Sequence, residues 1–207
     1  MEDVLADDGV VMRIVRLEWD QFQRTNNEGG RAACQGNWPV FRQMRTAQFL
    51  AWPQDLLDSY ERDLVEADRV GRNLVTEKYA RMMASTAPEA YRERIEPFIP
   101  ALSGERVEAQ ERVIGVQVAW AHAFRERWPK LGAAMRVLTT AEDTPEDTSF
   151  ETYLRGELGT YSRSTFDLYA RMVDGLRARG GNLTREILLN TVRLGGFHDL
   201  DEAEAAQ

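Results

Sequence analysis

Sliding the chain against itself by 109 residues aligns 41–83 with 150–192 without a gap. Eight of the 43 aligned positions are identical, among them Tyr60/Tyr169, Gly71/Gly180, Asn73/Asn182 and Glu77/Glu186. The apolar face repeats too. Leu57, Tyr60, Leu64 and Ala67 fall on Phe166, Tyr169, Val173 and Leu176, one stripe at helical spacing in both copies. Upstream, "EWDQF" at 18–22 echoes "AWAHAF" at 119–124, each with a tryptophan and then an aromatic residue. The expectation is an all-α single domain of two pseudo-twofold related halves from an internal duplication, about 10–85 and 110–194. Helices at 10–25 and 105–128 would be its equivalent central elements.

The rest of the chain agrees with helix. Apolar residues recur every three or four positions and alternating β-branched runs are scarce, which places helices at 10–25, 38–51, 54–69, 74–85, 88–98, 105–128, 149–160, 163–178 and 183–194. Asn37 precedes "WPVF" with Pro39 in the first turn, and Asn73 and Asn182 stand where N-caps are wanted. Thr86 with Glu89, and Thr148 with Glu151, have the spacing of a capping box. Gly71 and the pair Gly180–Gly181 follow helices as natural stops. Residues 1–9 read as a flexible start, 10–195 as the domain, and 196–207, ending "DEAEAAQ", as a frayed acidic tail.

Composition narrows the function classes. A formal charge of −8 argues against nucleic acid and anionic membrane surfaces as partners. The first residues carry no secretory leader, no apolar run is long enough to span a bilayer, and one cysteine permits no internal disulfide. These point to a cytoplasmic protein. Two histidines, His122 and His198, leave little for a transition-metal site. Of 26 basic residues only Lys78 and Lys130 are lysines, a bias that makes those two conspicuous.

Two unlike loops enter the second helix of each half. The first, "NNEGGRAACQGNWPVF", holds Cys34, Gln35 and Asn37; the second, "LTTAEDTPEDTSF", holds Asp143, Glu146 and Asp147. Unlike loops at equivalent places are where a cleft between halves is lined. "EDTPED" resembles a diphosphate-binding acidic motif only superficially, because Pro145 interrupts it, and the EF-hand positions fail, with Thr148 where glycine is needed. No resident metal or other cofactor is expected, and a capped, solvated acidic loop accounts for the same residues. Cys34 at a helix start is a candidate nucleophile, weighed against a buried structural thiol. Lys78 is a candidate catalytic amine or carboxylate anchor, weighed against a surface lysine, and Tyr79 is a core residue whose hydroxyl reaches the cleft. Arg45 and Arg155 follow the two loops at similar distances. With Glu157 and Tyr161 they suit a small zwitterionic ligand, or else form a buried structural ion network.

The strings "EW…F…NNEGGRAACQ", "MRTAQFLAWP", "GRNLVTEKYARMMASTAP" and "EDTPEDTSFETYLRGELGTYS" resemble a bacterial family of proteins of unknown function, the one numbered 4125, over roughly 12–195. The resemblance implies a bacterial cytosolic one-domain protein and supplies no activity. From the residues themselves the expectation is a small-molecule enzyme of specialised metabolism using side-chain acid/base chemistry. Asp143, Glu146, Asp147, Glu157, Lys78 and Cys34 are its catalytic candidates; Gln35, Asn37, Arg45, Tyr79, Arg155 and Tyr161 are its substrate-binding candidates. The alternatives are a non-catalytic ligand-binding or regulatory protein, and a Mg²⁺-dependent enzyme acting on a phosphorylated substrate. The two loops meet either within one chain or across a homodimer.

Overall fold

The computed structural model describes residues 9–25, 33–144 and 147–207, without the side chains of Ala33 and Cys34. The described residues form α-helices and short 3-10 turns, with no strand among them. In chain order the helices are α1 Val10–Gln23, α2 Trp38–Phe49, α3 Gln54–Arg69, α4 Leu74–Thr86, α5 Pro88–Arg94, α6 Gly104–Arg127, α7 Pro129–Ala133, α8 Phe150–Leu158, α9 Arg163–Ala178, α10 Leu183–Leu194 and α11 Leu200–Ala205.

Local chemistry sets their ends. The Asn37, Asn73 and Asn182 side chains accept from the backbone N–H three residues on, capping α2, α4 and α10. At the C-termini of α3 and α9 the chain reverses through Gly71 (φ 76°) and Gly180 (φ 71°), a left-handed conformation that costs any residue with a Cβ. The following amide then reaches back five residues in both cases: Arg72 N–H to Ala67 O and Gly181 N–H to Leu176 O, each 2.8 Å.

The amphipathic faces bury one extended core. Val11, Ile14 and Val15 of α1, the α3 stripe Leu57, Tyr60, Leu64 and Ala67, and the α9 stripe Phe166, Tyr169, Val173 and Leu176 all belong to it. α3 and α9 pack on each other, joined by a buried hydrogen bond of 2.8 Å between the Ser59 and Thr165 hydroxyls. α1 packs against α2, α3 and α4; α6 packs against α8, α9 and α10. Two further contacts tie distant parts of the chain: α4 lies on α8, and α10 lies on α2. At the α4–α8 crossing Gly156 allows near backbone contact, since a Cβ there would sit 2.7 Å from the Lys78 carbonyl oxygen.

Three local expectations need correction. The residues from 196 on are not a frayed tail: Leu200 and Ala203 of α11 are buried with Phe124 and Val192 in a second, smaller apolar cluster. The Glu204 carboxylate accepts from the Lys130 and Leu131 amides at 2.8 Å, and Asp201 accepts from the Trp128 indole at 2.7 Å. The helix expected at 88–98 ends at Arg94, and Glu96–Phe98 is a 3-10 turn, because Pro97 supplies no amide to continue the ladder. Neither expected capping box forms at its helix. Ser149, not Thr148, caps α8, and α5 starts without a side-chain cap; the box present is Thr139 with Glu142, at a 3-10 turn. The expected flexible start, Gly9 apart, lies outside the described residues.

Candidate functional site

Helices α1, α2, α3, α4 and α8 all turn polar side chains into the middle of the bundle. Glu18 comes from α1, Arg45 from α2, Tyr60 from α3, Lys78 from α4 and Glu157 from α8; Tyr161 follows α8. Glu18 and Glu157 are only 3% and 4% exposed, Lys78 7% and Arg45 9%. Burying an ion costs several kcal/mol, about, unless it is paired and its hydrogen-bonding capacity is met.

Pairing is thorough here. Arg45 grips Glu18 with two parallel bonds, Nη2 to Oε1 at 2.5 Å and Nε to Oε2 at 2.6 Å. The same guanidinium faces Glu157 at 3.3–3.4 Å, and Lys78 Nζ donates to Glu157 Oε2 at 2.8 Å. Gln48 Nε2 and the Tyr161 hydroxyl donate to Glu157 Oε1 at 2.8 and 3.0 Å; the Tyr60 hydroxyl donates to Glu18 Oε1 at 2.7 Å. Two carboxylates and two cations leave the cluster formally neutral.

Lys78 also sits 3.7 Å from the ring centroid of Tyr153, a cation–π contact in a largely desolvated place. Burial works hardest against the Glu157 carboxylate, yet Arg45 and Lys78 together hold its pKa below the ordinary range. Burial pushes the Tyr60 and Tyr161 phenols well up, and the neighbouring carboxylates push the same way. Tyr153 goes in the opposite direction. Burial is the largest influence and raises it, but the Lys78 ammonium and the Arg45 guanidinium together outweigh it and the net shift is downward. Beside Lys78 and Tyr153 lies a cavity of about 30 Å³, whose walls include Phe41, Val75, Tyr79 and Thr160. That is roughly the liquid volume of one water molecule.

The structure therefore brings together Arg45, Lys78, Glu157, Tyr161 and Tyr79 from the residues nominated by sequence. The others lie elsewhere. Gln35 is buried but donates to the Phe22 and Thr25 carbonyls, closing the end of α1. Asn37 is the exposed cap of α2. Asp143 accepts from the Ser85 and Thr152 hydroxyls and the Ser149 amide, which together hold its pKa low against burial and tie the acidic loop to α4 and α8. Asp147 is exposed. Arg155 is taken up by Glu111 and Glu151, joining α8 to α6. Cys34 lies in the 3-10 turn Ala33–Gly36, and its side chain, like the whole of Glu146, falls outside the described residues.

Sequence reasoning missed Glu18, Gln48, Tyr60's polar role and Tyr153. One signal was available for Glu18: Val11, Ile14, Val15, Glu18 and Phe22 make a single apolar stripe with a carboxylate inside it. Among the described residues no three His, Cys, Asp or Glu side chains group to hold a metal, and no helix is long and apolar enough to cross a membrane.

A family model described as "Protein of unknown function (DUF4125)" matches residues 8–205. No curated protein and no solved structure matches the chain.

Proposed function

We propose, for a chain that belongs to the DUF4125 family, that the buried cluster is the working end of a bacterial cytosolic small-molecule enzyme using acid/base chemistry. Tyr153 is its proton-transfer group and Lys78 the charge that tunes it. One observation carries this reading: the Lys78 ammonium lies over the ring of the half-buried Tyr153 at the edge of a cavity, and Tyr153 has its pKa lowered where the buried Tyr60, Tyr161 and Tyr169 have theirs raised. A phenol brought toward neutral pH is a better general acid and base than an ordinary one. Glu157, held by Arg45, Gln48 and Tyr161, fixes Lys78 in place. A void of about 30 Å³ admits the reacting end of a substrate rather than a whole metabolite.

The test is a spectrophotometric titration of tyrosinate. Wild-type protein shows one phenol ionising below the ordinary value of about 10. Tyr153→Phe removes that step, and Lys78→Met moves it up. If Tyr153→Phe leaves the earliest ionisation untouched, the assignment fails. Incubation with a metabolite mixture then separates enzyme from binder: Tyr153→Phe loses turnover and keeps the wild-type melting temperature.

A second reading, a non-catalytic ligand-binding or regulatory protein, is favoured by the completeness of the internal pairing around Glu18 and Glu157. A metabolite that raises the melting temperature of wild type and Tyr153→Phe alike, without being consumed, would establish it.

We also propose that the two halves arose by duplication. The support lies in bonds that recur at the 109-residue offset: the caps Asn73 and Asn182, the reversals after α3 and α9, and the crossings α4–α8 and α10–α2. The Asn73 amide donates to the Gln21 carbonyl, and the Asn182 amide to the Trp120 carbonyl. Tyr60 donates to Glu18, and Tyr169 to Gln117. These pairs set α1 against α6 at an offset of 99, matching Glu18 with Gln117 rather than Trp19 with Trp120. On that reading the counterparts of Glu18, Arg45 and Lys78 are Gln117, Leu154 and Ile187, and that of Glu157 is Gln48: the first half supplies three of the charges and the second half the fourth, each matched by a neutral residue in the other half. Gln117 Nε2, buried and with no hydrogen-bond partner among the described residues, stands where the matching guanidinium is missing.

A further inference from the structure

A second concavity, sharing no residue with the buried cluster, opens between α6, the end of α9 and the start of α10. Its volume of about 490 Å³ is within the usual range for small-molecule sites. Two indoles, Trp120 and Trp128, stand on its α6 side, with Arg127 beside them. Arg177 from α9 and Arg185 from α10 complete the wall. All three arginines are exposed, and none forms an ion pair among the described residues. No carboxylate lines the groove, in a chain whose net charge is −8.

The groove is held open by its sequence. Gly180 places no side chain in it, and a Cβ at that position would meet nothing within 4 Å. The corresponding place at the start of α4 is filled: Gln21 Oε1 accepts from the Leu74 amide, Thr25 bonds Thr76, and Arg24 pairs with Asp68. Trp120 stands where Gln21 does, judged by the asparagine bonds to their carbonyls. Trp128 is fixed from behind, its indole N–H donating to Asp201 of α11 at 2.7 Å.

Flat indole faces take planar rings, and guanidinium forks take phosphate or carboxylate oxygens. We propose that this groove is a binding site for a small organic anion that carries a planar ring, the chemistry of a nucleoside monophosphate.

The experiment titrates full-length protein with adenosine monophosphate, with adenosine and with inorganic phosphate, following tryptophan fluorescence and heat. Saturable binding of the monophosphate is expected, weakened by added salt and tighter than binding of either part alone. The double variant Arg177→Ala/Arg185→Ala, altered only at exposed positions, should weaken it by about tenfold or more. Trp120→Phe should reduce the fluorescence response, and Tyr153→Phe, which alters only the buried cluster, should bind the monophosphate as wild type does. The proposal is overturned if the monophosphate gives no saturable binding, if phosphate alone binds as well, or if the double variant binds like wild type.

Discussion

At Glu157 one carboxylate accepts from Gln48, Lys78 and Tyr161 and faces the Arg45 guanidinium, so its loss strands two buried cations with Glu18 as their remaining acid. Glu157→Gln should destabilise the fold by about 3–5 kcal/mol, read from urea unfolding. Its pH dependence follows from the direction of the shift. The folded-state pKa of Glu157 lies below the unfolded value, so its stabilisation is complete above the ordinary carboxylate range, about 4.3, and fades as pH falls through and below it. The melting temperatures of wild type and Glu157→Gln should therefore converge as the solution is taken from pH 7 toward pH 3. A gap that stays constant would mean that the carboxylate's charge is not what holds the site.

At the scale of helices, the α4–α8 crossing tolerates no side chain at Gly156, where a Cβ would sit 2.7 Å from the Lys78 carbonyl oxygen and 2.9 Å from Met82 Cγ. Gly156→Ala should cost about 1–3 kcal/mol and disturb the tyrosinate titration, because it pushes Lys78 away from α8. Gly115→Ala, at an exposed position of α6, meets nothing within 4 Å and should stabilise by up to about 1 kcal/mol, since alanine is the better helix former. This contrast also shows what the sequence discloses. Stripes, asparagine caps and glycine stops are local rules, and α3, α4, α9 and α10 start where those rules place them. The site is not local. Glu18, Arg45, Lys78 and Glu157 come from four helices as much as 139 positions apart (157 − 18), and no spacing connects them. A loop crowded with acids draws the eye, yet Asp143 spends its oxygens on Ser85, Ser149 and Thr152. Tyr153 was hidden because its neighbour Lys78 lies 75 residues away (153 − 78), on another helix.

Across the whole molecule, α11 closes the smaller apolar cluster by covering Phe124 and Val192 with Leu200 and Ala203. Burying one leucine is worth about 1.5–3 kcal/mol, and for a chain of this length each kcal/mol moves the midpoint by about 2–4 °C. Removing residues 199–207 should thus lower the melting temperature by roughly 5–10 °C in calorimetry, while the low tyrosinate step survives. An unchanged midpoint would mean the tail contributes no packing.

The interlocked crossings have a consequence in time. During synthesis α4 is complete at Thr86, but its partner α8 ends at Leu158, and α2 waits for α10, which ends at Leu194. From Thr86 to Leu194 is 108 residues (194 − 86), roughly 5–20 s of translation at roughly 5–20 residues per second. For that interval the face of α2 that α10 covers stays open, and for the first 71 residues of it (157 − 86) Arg45 and Lys78 have no Glu157, so the nascent chain is a client for whatever holds such surfaces apart until its second half emerges.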